Sequence, residues 1–401
     1  MYSFSEYRLS DNLNKSLRDL RFNKPTEIQS KTIPLGIEGS DILASAETGS
    51  GKTASYLIPL INKISKEGKT SGLILTPTRE LAQQVSEVCK SLLGYKSNIN
   101  LALIVGGASM RNQLVQLKKR PKIIIGTPGR INDLLEKKSL ILKYFNYFVL
   151  DEADRMLDMG FQDQVEKIIQ YLPIKRQSLL FSATLPKEII KLSSKYLKNP
   201  VRVNVKENKV IKTQIKQKVL NTKTEMKYDQ LVDEILLRKG SILIFVRTKY
   251  STEKLKKRLK KDTVKSLALH GDLRQNKRSR ILKDFRDDKF RILIATDIAS
   301  RGLDVPHIEH VINYDLPQVP EDFIHRIGRT ARAGSVGEAV SFVTPNDKRM
   351  WKSIEKLMEN LKNPDHKNQE DSKHNSPKDL RKRKRKTKSR KYYQRLNNNN
   401  L

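Results

Sequence analysis

Apolar residues recur along this chain in short, nearly continuous runs set between longer stretches of helical period. The runs Asp41–Ala46, Ser71–Thr76, Leu101–Val105, Lys122–Thr127, Tyr147–Asp151 and Ser178–Ser182 are rich in Ile, Leu and Val. Such runs suit strands buried on both faces of a parallel sheet. Between them Ala54–Ile64, Thr78–Leu93 and Asp163–Tyr171 read as helices. Strand, helix, strand in this rhythm predicts a doubly wound α/β domain.

The rhythm pauses around Asn204–Gln214, a polar stretch without helical period, and then restarts. Ser241–Val246, Val264–Leu269, Arg291–Thr296, His310–Tyr314 and Ala339–Val343 are strand-like. Tyr228–Arg238, Thr252–Lys261, Gln275–Phe285 and Asp347–Leu361 are helix-like. The expected organisation is an α/β domain over 1–205, a linker over 206–214, a second α/β domain over 215–361 and a tail over 362–401. The tail is poor in apolar residues, and Arg381–Lys391 holds nine basic residues in eleven. It cannot bury enough surface to fold and is expected to be disordered.

Composition narrows the function classes. A length of 401 residues allows two or three domains. No apolar run approaches the roughly 20 residues of a membrane helix, and the first residues lack the pattern of a secretory signal, so a cytoplasmic location is expected; a monomer is expected as well. One cysteine, Cys89, excludes an internal disulfide and a cysteine-rich zinc module; the six histidines are scattered. The net charge is +35. Residues 361–401 hold 14 Lys/Arg against 4 Asp/Glu, a net +10, so the preceding 360 residues carry the other +25. A surplus spread over the folded part predicts a polyanionic partner, nucleic acid before an acidic membrane.

The sharpest local signal is Ala46-Glu47-Thr48-Gly49-Ser50-Gly51-Lys52-Thr53, between a strand-like run and a helix-like one. That is the setting a phosphate-binding P-loop requires. Gly49 and Gly51 let backbone N–H groups turn toward phosphates. Lys52 can reach the β- and γ-phosphates, and the Thr53 hydroxyl can hold Mg²⁺. Tyr147–Leu150 ends in Asp151-Glu152-Ala153-Asp154. Asp151 is placed to hold Mg²⁺ through water, and Glu152 to orient or deprotonate the attacking water.

Asp-Glu-Ala-Asp at 151–154 resembles the signature of the DEAD-box ATP-dependent RNA helicases, and further motifs of that family follow in order. Phe22 to Gln29 is similar to the adenine-reading Q motif, with Phe4 upstream. Pro77 to Leu81, Gly106-Gly107 and Thr127-Pro128-Gly129-Arg130 resemble RNA-contacting motifs, and Ser182-Ala183-Thr184 a coupling motif. Ile244-Phe245-Val246, Gln275 to Arg278, Ala295 to Asp304 and His325 to Arg332 complete the series. The resemblance covers about residues 4 to 345. It implies two tandem RecA-like P-loop domains, the cofactors ATP and Mg²⁺, and RNA as partner, most like compact bacterial members. Ribosome assembly, mRNA decay and cold adaptation all stay open as pathways, with ribosomal or degradation complexes as partners. Two residues depart from the family pattern: Arg21 and Ala331 stand where glycine is usual.

Roles follow from residue chemistry. Gln29 can pair with adenine N6 and N7, and Phe22 can stack on the base. Ala46, Thr48, Gly49, Ser50, Gly51, Lys52 and Thr53 form the nucleotide loop, and Asp304 joins it from the second domain by resemblance. Arg326 and Arg329, three apart, would share a helix face and neutralise charge on the transferring phosphoryl group. Asp154, Ser182, Thr184 and His325 read as wiring between the metal site and the domain interface. Thr78, Arg79, Gly107, Thr127, Arg130, Arg247, Arg278 and Thr296 are the expected RNA contacts. Small residues admit close approach and arginine grips phosphate, so backbone contacts with little sequence preference are expected. A DNA-directed P-loop motor and a non-catalytic annealing protein are the rival readings. The tail reads as a nucleic-acid tether, with nuclear import as the alternative.

Overall fold

The computed structural model describes residues 3–47, 49–95, 97–205, 215–300, 308–331 and 337–362. The expected linker 206–214, the candidate residues Thr48 and Asp304, Arg332, and the basic tail from 363 lie outside the described residues.

The first sheet contains β1 (Ile42–Ser45), β2 (Gly72–Leu75), β3 (Leu101–Ile104), β4 (Ile123–Gly126), β5 (Tyr147–Leu150), β6 (Gln177–Ser182) and β7 (Val201–Asn204). All pair in parallel, in the order β3-β4-β2-β5-β6-β1-β7. Central strands are buried along their whole length, which is why they read as continuous apolar runs. Ile58 and Ile61 of the helix Lys52–Glu67 and Val85 of the helix Arg79–Leu93 cover one face. Ile131, Ile168 and Ile189, from the helices Pro128–Glu136, Gln162–Gln170 and Lys187–Tyr196, cover the other. Cys89 is fully buried, and burial pushes its thiol up to about 12, so it is a packing residue.

The second sheet contains β8 (Ile215–Asn221), β9 (Ile242–Phe245), β10 (Leu267–Leu269), β11 (Ile292–Ala295), β12 (His310–Asn313) and β13 (Gly337–Val343). It is also parallel, in the order β10-β11-β9-β12-β13-β8. Leu231 of Lys227–Leu236 and Leu259 of Lys249–Lys261 pack on one face. Phe285 of Gln275–Arg286, Phe323 of Pro320–Ile327 and Ile354 of Lys348–Lys362 pack on the other. Trp351 meets Phe323 edge-on at 5.6 Å and fixes the last helix to this domain.

Two strands escaped the pattern. β7 and β8 are edge strands, and most of their residues are exposed or half-buried. Val-Arg-Val-Asn and Ile-Lys-Gln-Lys carry no buried run, because an edge strand needs only one bonded neighbour.

Parallel register sets what emerges together at the carboxyl ends. Ser45 of β1 lies beside Ser182 of β6, and Leu150 of β5 beside Leu180. The loops after β1, β5 and β6 therefore leave the sheet side by side. Ligands of open parallel sheets bind outside these ends.

Candidate ATP site and RNA face

The loop after β1 turns through Gly49 and Gly51, whose φ angles of +88° and +98° favour glycine. Lys52 opens the helix Lys52–Glu67, is buried, and donates from Nζ to the Ala46 carbonyl at 2.7 Å. Ser50 Oγ donates to the Glu47 carbonyl at 2.7 Å. Gln29 reaches the same loop. Its Oε1 accepts from the Thr26 N–H at 3.0 Å and its Nε2 donates to the Gly51 carbonyl at 3.2 Å. A β-carbon on Gly51 would stand 2.4 Å from Gln29 Nε2, so glycine is needed there for space as well as conformation. The amide keeps one N–H and one lone pair for a base. Phe22 is half-buried and meets Phe4 edge-on at 6.0 Å.

Asp151 follows β5 and is buried. Its Oδ2 accepts from the Tyr56 hydroxyl at 2.8 Å. Burial pushes the carboxyl up to about 6, against the pull of Lys52; the neighbouring Glu152 charge pushes the same way as burial. Tyr56, one helical turn beyond Lys52, was not anticipated; the i+4 spacing was its only signal. Glu152 adopts left-handed backbone, φ +53°, while its N–H donates to Asp151 Oδ1 at 3.0 Å. Its carboxylate lies 3.4 Å from Arg155 Nε, both side chains buried.

Asp154 Oδ2 accepts from the Ala183 N–H at 3.0 Å, the Thr184 N–H at 3.2 Å and the Thr184 hydroxyl at 3.4 Å. The segment after β5 is thus tied to the loop after β6. Ser182 sits beside this tie, but its buried hydroxyl makes no hydrogen bond to a described residue. His325 lies in the other domain, on the helix Pro320–Ile327.

Five of the expected RNA contacts form one group on the first domain. Thr78 caps the helix Arg79–Leu93, accepting from the Leu81 N–H at 3.2 Å. The Arg79 guanidinium lies over Gly106-Gly107, where a β-carbon on Gly107 would come within 2.2 Å of Nη1. Thr127 precedes the helix Pro128–Glu136, and Arg130 Nη2 donates to the Ala108 carbonyl at 3.2 Å. Burial, and then the charge of Arg278, hold the Arg79 guanidinium below its usual range. On the second domain, Arg247 is exposed after β9, and Thr296 is buried after β11.

Two arginines have partners that the sequence did not foretell. The Arg278 guanidinium is held by protein groups. It is buried, donating from Nε to Glu80 Oε1 of the first domain at 2.7 Å and from Nη1 to the His270 carbonyl at 2.8 Å. Glu80 was missed because an acid among basic motif residues looks like helix-start decoration. Arg326 is likewise held by protein groups, all of them in its own domain. Nε and Nη2 grip Asp297 at 2.5 and 2.7 Å, and Nη1 donates to Asn313 Oδ1 and the Asp315 carbonyl. Its helix ends at Ile327, so Arg329, also buried, stands in the turn beyond and shares no helix face with it.

The architecture is therefore a two-domain P-loop nucleotide hydrolase fold, with a buried carboxylate under the loop and a second domain abutting it. Residues 26–192 match the DEAD/DEAH box helicase family, and residues 226–334 the helicase conserved C-terminal domain. The chain is 40% identical to ATP-dependent RNA helicase CshA of Listeria monocytogenes, over 91% of this chain and 70% of that protein. It is 42% identical to RNA helicase CrhR of Synechocystis, over 88% of this chain and 72% of that one. The S. cerevisiae Dbp5 structure bound to RNA and ADP BeF3 superposes with a TM-score of 0.79 at 34% identity, covering 89% of this chain and 93% of that one. Mss116 bound to single-stranded RNA and AMP-PNP gives 0.78 at 31% identity, covering 88% and 76%. The chain belongs to the DEAD-box helicase family, and by class it is an ATP-dependent RNA helicase.

Proposed function

We propose that this helicase works by ATP-driven closure of its two domains on single-stranded RNA, destabilising short duplexes or remodelling ribonucleoprotein. The observation that carries this reading is the buried Arg278–Glu80 pair, which crosses between the domains beside the Arg79 group. A buried charge on each domain needs the other domain for its partner.

In this reading Phe22 and Gln29 take the adenine, and the loop from Ala46 to Thr53 takes the phosphates, with Asp304 assisting from the second domain. Thr53 and Asp151 would hold Mg²⁺. Among the described residues no group of three or more His, Cys, Asp or Glu could hold a metal by itself. The ion would neutralise charge on the phosphates. Glu152 accepts the proton of the attacking water as its oxygen bonds the γ-phosphorus. The bond to the bridging oxygen breaks and ADP leaves. Arg329 offsets the developing charge from the second domain, and Arg326 holds the loop after β11 in place through Asp297. Asp154, Thr184, Ser182 and His325 relay nucleotide state to the interface. Thr78, Arg79, Gly107, Thr127, Arg130, Arg247 and Thr296 hold the RNA backbone.

The test is RNA-stimulated ATP hydrolysis and nucleotide binding in two variants. Lys52→Ala is expected to weaken binding and hydrolysis together. Glu152→Gln should bind ATP and RNA while turning over at least a hundredfold more slowly, within the range for a lost general base. Wild-type turnover in Glu152→Gln would remove it from catalysis. An ATPase indifferent to RNA and stimulated by DNA would overturn the proposed substrate.

A further inference from the structure

The helix Lys249–Lys261 lies on the outer flank of the second domain, with Thr252, Leu255 and Leu259 turned into the core. It carries seven Lys/Arg and a single acid, Glu253. Tyr250 is 73% exposed, and Lys254, Lys257 and Lys261 are exposed as well. Their spacing of four, three and four residues puts them in one stripe along the helix.

Helix electrostatics account for part of this only. Bases in the last turn complement the helix dipole, which covers Arg258, Lys260 and Lys261. It does not cover Lys254, or an aromatic ring left in water. Nor are the charges balanced locally. Lys249 pairs with Asp272 at 2.6 Å and Arg258 stacks on Tyr228, but Lys254, Lys257 and Lys261 form no ion pair with a described residue. Like charges one turn apart repel, so the stripe is a standing cost that a polyanion would remove.

The stripe also has a direction. Its amino end adjoins Arg247 and Thr248, at the carboxyl end of β9 where the site lies, and its 13 residues run down the flank for about 20 Å. An exposed aromatic followed by spaced lysines matches what a single strand offers, stackable bases and a string of phosphates. A duplex offers the phosphates but keeps its bases stacked inside.

We propose that Tyr250, Lys254, Lys257 and Lys261 form a second RNA-binding surface, which holds single-stranded RNA extending beyond the central site. This rests on the RNA-clamp reading above and adds an outer track to it. The test uses the full chain and two single-stranded oligonucleotides, one filling only the central site and one longer by about ten nucleotides. The variants are Tyr250→Ala and the combined Lys254→Glu, Lys257→Glu, Lys261→Glu. With the longer RNA, the triple variant should lose at least tenfold in affinity at low salt. Its slope of log affinity against log salt should flatten by about 2, at roughly 0.7 for each phosphate no longer neutralised. Tyr250→Ala should lose about fivefold or more. With the short RNA, affinity and saturated ATP turnover should stay at wild-type values. Equal loss on both RNAs would assign these residues to the central site and overturn the outer track, as would no loss on either. A triple-variant defect seen with duplex extensions, together with a silent Tyr250→Ala, would overturn the single-strand assignment. Failure of the clamp reading itself would show separately, as wild-type protein whose ATPase ignores the short RNA.

Discussion

Arg21 and Ala331 both hold left-handed backbone, with φ +57° and +56°. A β-carbon in that region costs roughly 1–2 kcal/mol, partly offset by the smaller entropy of the unfolded chain. Arg21→Gly should therefore stabilise the first domain by about 0.5–1 kcal/mol in denaturant titration. No gain would mean that the Arg21 side chain repays its strain through contacts. Asp151 makes the opposite kind of statement. Its carboxyl rises from 3.8 to about 6 because burial disfavours the charge. A raised carboxyl ionises at the expense of the folded state. The contribution of Asp151 to stability is greatest below pH 4, falls as pH rises from about 4 to 6, and stays lower above. Two units correspond to about 3 kcal/mol at most. Without nucleotide or magnesium, Asp151→Asn should melt higher than wild type at pH 8 and equal to it below pH 4, while losing ATP hydrolysis. An equal melting temperature at pH 8 would show that the charge is already compensated.

Among elements, the telling contact is the one between helices of different domains. Glu80 lies in the first turn of the helix Arg79–Leu93 and Arg278 in the first turn of Gln275–Arg286; the two are buried against each other. Removing one member strands the other in a dry interface, at about 3–5 kcal/mol. Glu80→Gln should therefore shift the closed population down by two orders of magnitude or more, read by fluorescence transfer between labelled domains with RNA and an ATP analogue bound. Each domain should keep its own unfolding transition. A Glu80→Arg, Arg278→Glu swap should recover part of the closure. Unchanged transfer in Glu80→Gln would mean the pair plays no part in closing.

Across the whole molecule, charge is the dominant property, and the tail is its densest part. Arg381–Lys391 offers nine positive charges. If about four to six engage phosphates, truncation after Lys362 should flatten the salt slope of RNA binding by about 3 to 4 units. Turnover at saturating RNA should barely move, because every nucleotide motif lies before residue 333. An unchanged slope would favour nuclear import or protein docking for the tail. In the same way, residues 1–205 alone should bind ATP yet show no RNA-stimulated turnover, since Arg329 and Arg278 are missing. Full stimulated turnover by that fragment would remove the second domain from the chemistry.

The central strands, the helices and the phosphate loop were legible in the residues themselves. A strand buried on both faces, such as Ile123–Gly126, must be apolar throughout. A loop that turns N–H groups toward phosphate needs Gly49 and Gly51 whatever surrounds it. These constraints are local, so local sequence records them. The edge strands β7 and β8 left no such record, because their exposed residues answer to solvent. Partner choice was invisible for the same reason. Arg278 and Arg326 look like any motif arginine in the chain. Only the folded chain brings Glu80 to the one and Asp297 to the other, across 198 and 29 residues. A guanidinium can grip any carboxylate that reaches it, and the packing of helices on two sheets decides which one does.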